Sequence, residues 1–184
     1  MLLGIILYNN REISQNGDVW QWKKALCCAM AACCKYSVRG AKTRRETHFL
    51  LMDENGLGIS EEEERLILEE NLKQERGGVY GGRINGELAC IFSLGCYPRR
   101  RLAHAGEIAL SVRKKYWHIG VGSAIMEMLI ELAKEASLKN IELSVHAENE
   151  RAIALYRRFG FEEIGRHRGK MYVDGEYYDE ILMD

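Results

Sequence analysis

The sequence predicts an α/β fold: a mixed, twisted sheet of about six to seven strands with helices on both faces. Three stretches carry that prediction. Residues 108–128 hold an alternating run (Ile108, Leu110, Val112), a charged aromatic turn and two glycines. A pattern with Val121, Ile125, Met128, Leu129 and Leu132 on one helical face follows. Residues 140–160 repeat the order, strand then helix. Asn85-Gly86 separates two apolar runs and is a strong hairpin signal, because both positions accept positive φ.

Hydrophobic residues make up 47% of the 184, enough for a single domain spanning 1–184 with a sizeable core. A net charge of −1 gives no global basicity that would suit nucleic acid. Ala25–Cys34 is apolar but too short to cross a bilayer as a helix, and Leu2–Tyr8 lacks the basic flank of a signal segment. The expectation is a cytoplasmic protein that binds neither membrane nor nucleic acid. Of the cysteines, Cys27, Cys28, Cys33 and Cys34 form two adjacent pairs whose spacing is not that of a zinc site. Together with Cys90 and Cys96 they read as small residues in a reducing compartment, with no metal expected.

In chain order, Leu2–Tyr8 reads as a short strand. Asp18 caps a helix with Val19, Trp22, Leu26, Met30 and Cys33 along one stripe. Arg39–Arg45 is a basic loop. Ser60 starts a second helix with Glu63 at the capping-box position, running to about Gln74 with Leu66, Ile67 and Asn71 inward. The hairpin around Asn85-Gly86 follows. Its second strand, Glu87–Leu94, is apolar on both sides and so central in the sheet. After the basic loop Pro98–Arg101, the strand at 108–112 and the strand at 140–145 lie parallel across a right-handed helical crossover. A helix from Asn149 places Ala152, Leu155, Tyr156 and Phe159 on one face and stops at Gly160. Asp174-Gly175 turns a final hairpin.

The strand–glycine–helix turn is a candidate anion site. The first N–H groups of a helix have no internal partner and its dipole is positive there. Alone, such a turn also occurs for packing reasons. A dinucleotide or P-loop reading fails on spacing, since Gly120-x-Gly122 lacks the third glycine and a following lysine.

Two motifs at this separation resemble the GCN5-related N-acetyltransferase (GNAT) superfamily. Trp117-His-Ile-Gly120-Val-Gly122 after Val112 is similar to the family's Gln/Arg-x-x-Gly-x-Gly/Ala loop, with tryptophan at the first position. Asn149-Glu-Arg-Ala152-Ile-Ala-Leu155-Tyr156-Arg-Arg-Phe-Gly160-Phe161 matches Asn-x-x-Ala-x-x-Leu-Tyr-x-x-x-Gly-Phe at every named position. The ending from Asp174 to Met183 also resembles a bacterial subgroup of unassigned acceptor.

The resemblance implies acetyl-CoA as co-substrate. The backbone of Trp117, His118, Ile119, Gly120, Val121, Gly122 and Ser123 would hold its pyrophosphate. Leu110, Ser111 and Val112 would pair with the pantetheine arm as an added strand, and Asn149 would touch that arm while capping its helix. Arg113, Lys114 and Lys115 either assist the phosphates or are simply solvated. Tyr156 is the candidate general acid beside the departing sulfur, and Glu107 the candidate base. Glu142, His146, His104 and Glu46 are alternatives for the base or the acceptor pocket. The implied reaction is direct transfer to an amine in a ternary complex, without metal or covalent enzyme intermediate. A small-molecule amine is favoured over a protein N-terminus, and a homodimer is left open. The alternative is a non-catalytic acyl-CoA-binding or regulatory module on the same fold.

Overall fold

The computed structural model describes residues 11–15, 18–24, 49 and 60–184. Its strands are β1 (Arg11–Gln15), β2 (Asp18–Lys24), β3 (Gly78–Ile84), β4 (Glu87–Cys96), β5 (Ala105–Val112), β6 (Asn140–His146), β7 (Glu163–Val173) and β8 (Glu176–Met183). The described helices are α1 (Glu61–Lys73), α2 (Val121–Glu135) and α3 (Glu150–Arg158). The strands form one sheet in the order β1-β2-β3-β4-β5-β6-β8-β7, so the apolar strand β4 is central as its sequence predicts. The sheet is mixed. β5 and β6 run parallel, joined by α2, and the other neighbours are antiparallel.

One expectation is corrected near the start. Residues 18–24 form strand β2, not the first turns of a helix. β2 pairs with β3 through Trp20↔Ile84 to Lys24↔Tyr80, and with β1 through Gln15↔Asp18 outward. The edge of β3 offers a row of backbone partners that a helix would leave unpaired. These two strands bring the sheet to eight. The expected strand at 2–8, the continuation of that helix, the basic loop at 39–45 and the four paired cysteines lie outside the described residues.

α1 starts as its sequence dictates: Glu63 N–H donates to Ser60 Oγ, and the Ser60 N–H donates to the Glu63 carboxylate at 2.7 Å. Its inward face is a second correction. Leu66 and Ile67 are each about half exposed, whereas Arg65, Glu69 and Asn71 are part-buried. A weakly segregated stripe does not fix which arc of a helix meets the sheet.

The core lies between α2 and one face of β3–β5. Register places Phe92 beside Leu110 and Leu94 beside Ile108, on the face that meets Val121, Ile125, Met126 and Leu129 of α2. Tyr80 stacks on Phe92 with centroids 5.3 Å apart. Each such fully buried side chain contributes about 1.5–3 kcal/mol. Cys90 belongs to this core, and burial pushes its thiol up. At the far end of α2, Arg76 donates to the Ala136 carbonyl (2.6 and 3.0 Å) and to the Ala103 carbonyl (2.7 Å). It thereby caps the negative helix end. No described helix is long and apolar enough to cross a membrane.

Candidate functional site

β5 has two unlike edges. On one it pairs with β4 through seven rungs, from Cys90↔Val112 to Cys96↔Gly106. On the other it pairs with β6 through only three, Ala105↔Asn140, Gly106↔Ile141 and Glu107↔Glu142. Beyond Glu107 the strands part, and β6 continues against β8 from Leu143↔Met183. Arg113 N–H donates to the Ala89 carbonyl. Strand alternation then turns the backbone groups of Ser111 toward β4, and those of Leu110 and Val112 toward the gap. Ser111 is therefore committed to the sheet. The Val112 carbonyl accepts from Trp117 Nε1 at 2.8 Å, which leaves Leu110 as the gap-facing backbone with both its groups. This narrows the three-residue segment expected to pair with an arm.

The turn sits where the gap opens. After the 3-10 turn Lys114–Tyr116, His118 takes φ 64 and Gly120, the N-cap of α2, takes φ 91. Left-handed residues at alternate positions are the pattern from which an anion nest is built, where successive N–H groups turn into one concavity. A non-glycine residue held there stores about 1–3 kcal/mol of strain, which the surroundings must enforce. His118, Ile119 and Gly120 are exposed, and α2 has no acidic residue in its first turn. Gly122 has another function. A Cβ there would lie 3.0 Å from Leu155 Cδ2, so the missing side chain lets α3 close on α2.

Two residues of the basic run before the turn, Arg113 and Lys115, are engaged away from it. Arg113 is buried and donates to Glu87 at 2.5 Å, while Lys115 and Tyr116 also donate to the Glu87 carboxylate. These bonds hold Glu87 down at about 2. Arg113 is therefore neither solvated nor turned to the loop, and Lys115, though exposed, has its ammonium engaged by Glu87. They fasten the turn to the start of β4.

Asn149 caps α3, its Oδ1 accepting from Ala152 N–H at 3.2 Å. Tyr156 lies two turns on, buried against Phe161 with ring centroids 6.2 Å apart. Burial pushes its phenol up to about 12, so it stays protonated across the ordinary pH range. Its hydroxyl makes no hydrogen bond among the described residues.

The candidate bases fall in different places. Glu107 and Glu142 are partners on the last β5–β6 rung, on the face opposite the α2 core. Glu107 is exposed there, and Glu142 accepts from Tyr97 Oη. That bond, more than burial, raises the Tyr97 phenol to about 12. His146 is buried, and its Nδ1 accepts from Glu148 N–H at 3.2 Å. His104 lines a cleft of about 480 Å³ with Arg76, Arg100 and Glu135 at the C-terminal end of α2. This puts it at the opposite end from the glycine turn. Glu46 lies outside the described residues.

Sequence reasoning missed two arginines. The Arg151 guanidinium lies 3.3 Å above the centroid of the Trp117 ring, and Arg158 Nη2 donates to Ser123 Oγ at 2.5 Å. Their seven-residue spacing on α3 was a usable signal, since it puts both on one helical face.

Among solved structures, the chain is similar to an acetyltransferase of the GNAT family from Streptococcus pneumoniae. The TM-score is 0.81 at 26% identity, covering 89% of this chain and 97% of that one. The fold is also that of yncA from Salmonella typhimurium, solved with its cofactor acetyl-CoA (TM-score 0.74, 16% identity, covering 89% and 91%). In sequence it is 32% identical over 103 residues to the L-amino acid N-acetyltransferase AaaT of Escherichia coli, covering 54% of this chain. An N-alpha-acetyltransferase of Sulfurisphaera tokodaii is 33% identical over 79 residues, 41% of this chain. These matches span 62% and 44% of the relatives' own lengths, less than two thirds of either. Residues 44–161, which include the gap, the glycine turn and all of α3, match the acetyltransferase (GNAT) family, and the chain belongs to it.

Proposed function

We propose that the protein is an acetyl-CoA-dependent N-acetyltransferase that moves the acetyl group to the primary amine of a small molecule by direct attack in a ternary complex. The observation that carries this reading is the gap between β5 and β6. It offers the Leu110 backbone as an unpartnered strand edge and ends at an N–H nest. An amide-bearing arm with a diphosphate at one end matches both features in order: amides along Leu110, phosphates against residues 118–123.

The chain's own residues supply the proton chemistry. An acceptor arriving as ammonium must lose a proton before its nitrogen can attack. Glu107, exposed at the point where the strands part, receives it. Tyr156, kept neutral by burial, donates its phenolic hydrogen toward the departing sulfur. Asn149 holds the start of α3 against the arm. A small-molecule acceptor is favoured because AaaT, the E. coli relative named above, acts on L-amino acids.

The test is thiol release from acetyl-CoA across a panel of L-amino acids, other small amines and peptides, with mass spectrometry of the products. Acetylated product from at least one small amine is expected. Tight CoA binding with release at background for the whole panel would overturn transfer in favour of a binding module.

A further inference from the structure

We infer that Arg151 and Arg158 form a two-guanidinium clamp on the phosphates of the acyl-CoA, supplying from α3 the polar contact that the loop lacks at Trp117. The inference rests on the donor reading proposed above and extends it to residues outside the loop.

Three contacts lay α3 along the mouth of the turn: Arg151 on Trp117, Leu155 against Gly122, and Arg158 on Ser123. Residues 151, 155 and 158 share one helical face. Where related loops carry Gln or Arg, this chain carries a tryptophan whose indole N–H is spent on the Val112 carbonyl. That bond fixes the ring, and the ring gives the Arg151 guanidinium a flat seat. A stacked guanidinium keeps its edge N–H groups free in the ring plane, the geometry that pairs with phosphate oxygens. Arg158 is seated differently, by one N–H on Ser123, with its other donors available.

Charge makes the same argument independently. Arg158 stands on Ser123 in the first turn of α2, the positive end of a helix without an acidic residue there, and Arg151 stands on Trp117 in the turn that leads into it. Among the described residues neither is paired with a carboxylate. Neighbouring Arg157, by contrast, faces away and lies 3.8 Å from Glu163. Three positive elements converging on one exposed nest are balanced by a ligand with more than one negative charge, as a diphosphate is.

The experiment is calorimetric binding of CoA, and of phosphate-free pantetheine, to wild type, Arg151→Ala, Arg158→Ala, the two Lys variants and Arg157→Ala. Thermal melts serve as a folding check. Each of the two Ala variants is expected to weaken CoA about tenfold. The Lys variants recover part of the loss, and Arg157→Ala stays within about twofold, since it removes the same charge at a distance. Pantetheine affinity is expected to be unchanged throughout. Wild-type CoA affinity in either Arg151→Ala or Arg158→Ala overturns the clamp and leaves the donor site standing. CoA binding that obeys the clamp, without transfer to any amine, overturns the transfer reading alone. A wild type that binds no CoA overturns both.

Discussion

The two edges of β5 differ in kind. Against β4 the strand is paired through seven rungs and backed by almost fully buried side chains, among them Phe92 and Leu94. Against β6 it is paired through three rungs, and its remaining backbone faces a gap. The paired edge is where stability resides, and on the function proposed above the open edge is where a ligand finishes the sheet. Substitutions on the two sides should therefore fail differently.

The largest effect is expected on the paired side. Phe92→Ala removes a ring that is 1% exposed and stacked on Tyr80. A loss of about 3–4 kcal/mol is expected, seen in denaturant melts as a lower midpoint, with turnover per folded molecule unchanged. For the chemistry proposed at the open side, Tyr156→Phe deletes only a hydroxyl that has no hydrogen bond among the described residues, so the melt should hold. Thiol release should fall at least about 100-fold with CoA affinity within about twofold. Equal loss of melt and turnover in both variants would erase the distinction between the edges.

Gly120→Ala is a smaller intervention. At φ 91 the new methyl costs about 1–2 kcal/mol of backbone strain. The relaxed nest should hold CoA about tenfold less well, as measured by calorimetry. Acidification gives the smallest effect. Glu87 is held at about 2, below the usual carboxylate range, by Lys115 and Arg113. A depressed carboxylate contributes stability that is complete above about pH 4.5 and is lost as pH falls toward 2. Because Glu87 fastens the segment leading to Trp117, tryptophan fluorescence should report that loss, and Glu87→Gln should flatten the profile.

Much of this was legible in the sequence, for local reasons. Asn85-Gly86 forms its turn with φ 50 and 81, the capping box at Ser60 closes, α2 begins just after Gly120, and α3 runs from its Asn149 cap to just short of Gly160. The misread start had its own local signal. β1 and β2 are separated by Asn16-Gly17, the same hairpin dipeptide, and Trp20 and Trp22 alternate as strand residues do. A longer apolar stripe through Leu26 and Met30 outweighed it. The exposure of Leu66 and Ile67 was not legible, because period alone does not say which arc of a helix meets a sheet. Nor was the role of Arg113, since the burial of a charge depends on a partner 26 residues away. Arg151 on Trp117 is the same problem at the site: a tertiary meeting of residues from separate elements.

Arg76 has a consequence in the order of folding. One side chain ties the carbonyls of Ala103 and Ala136, residues 27 and 60 positions away, so its bonds form only after β3, the loop before β5 and the end of α2 have met. Such a contact belongs to the descent after the folding barrier. Arg76→Ala should therefore quicken unfolding in stopped-flow measurements and leave the refolding rate nearly untouched. The arginine acts as a latch that engages last and sets how long the finished molecule persists.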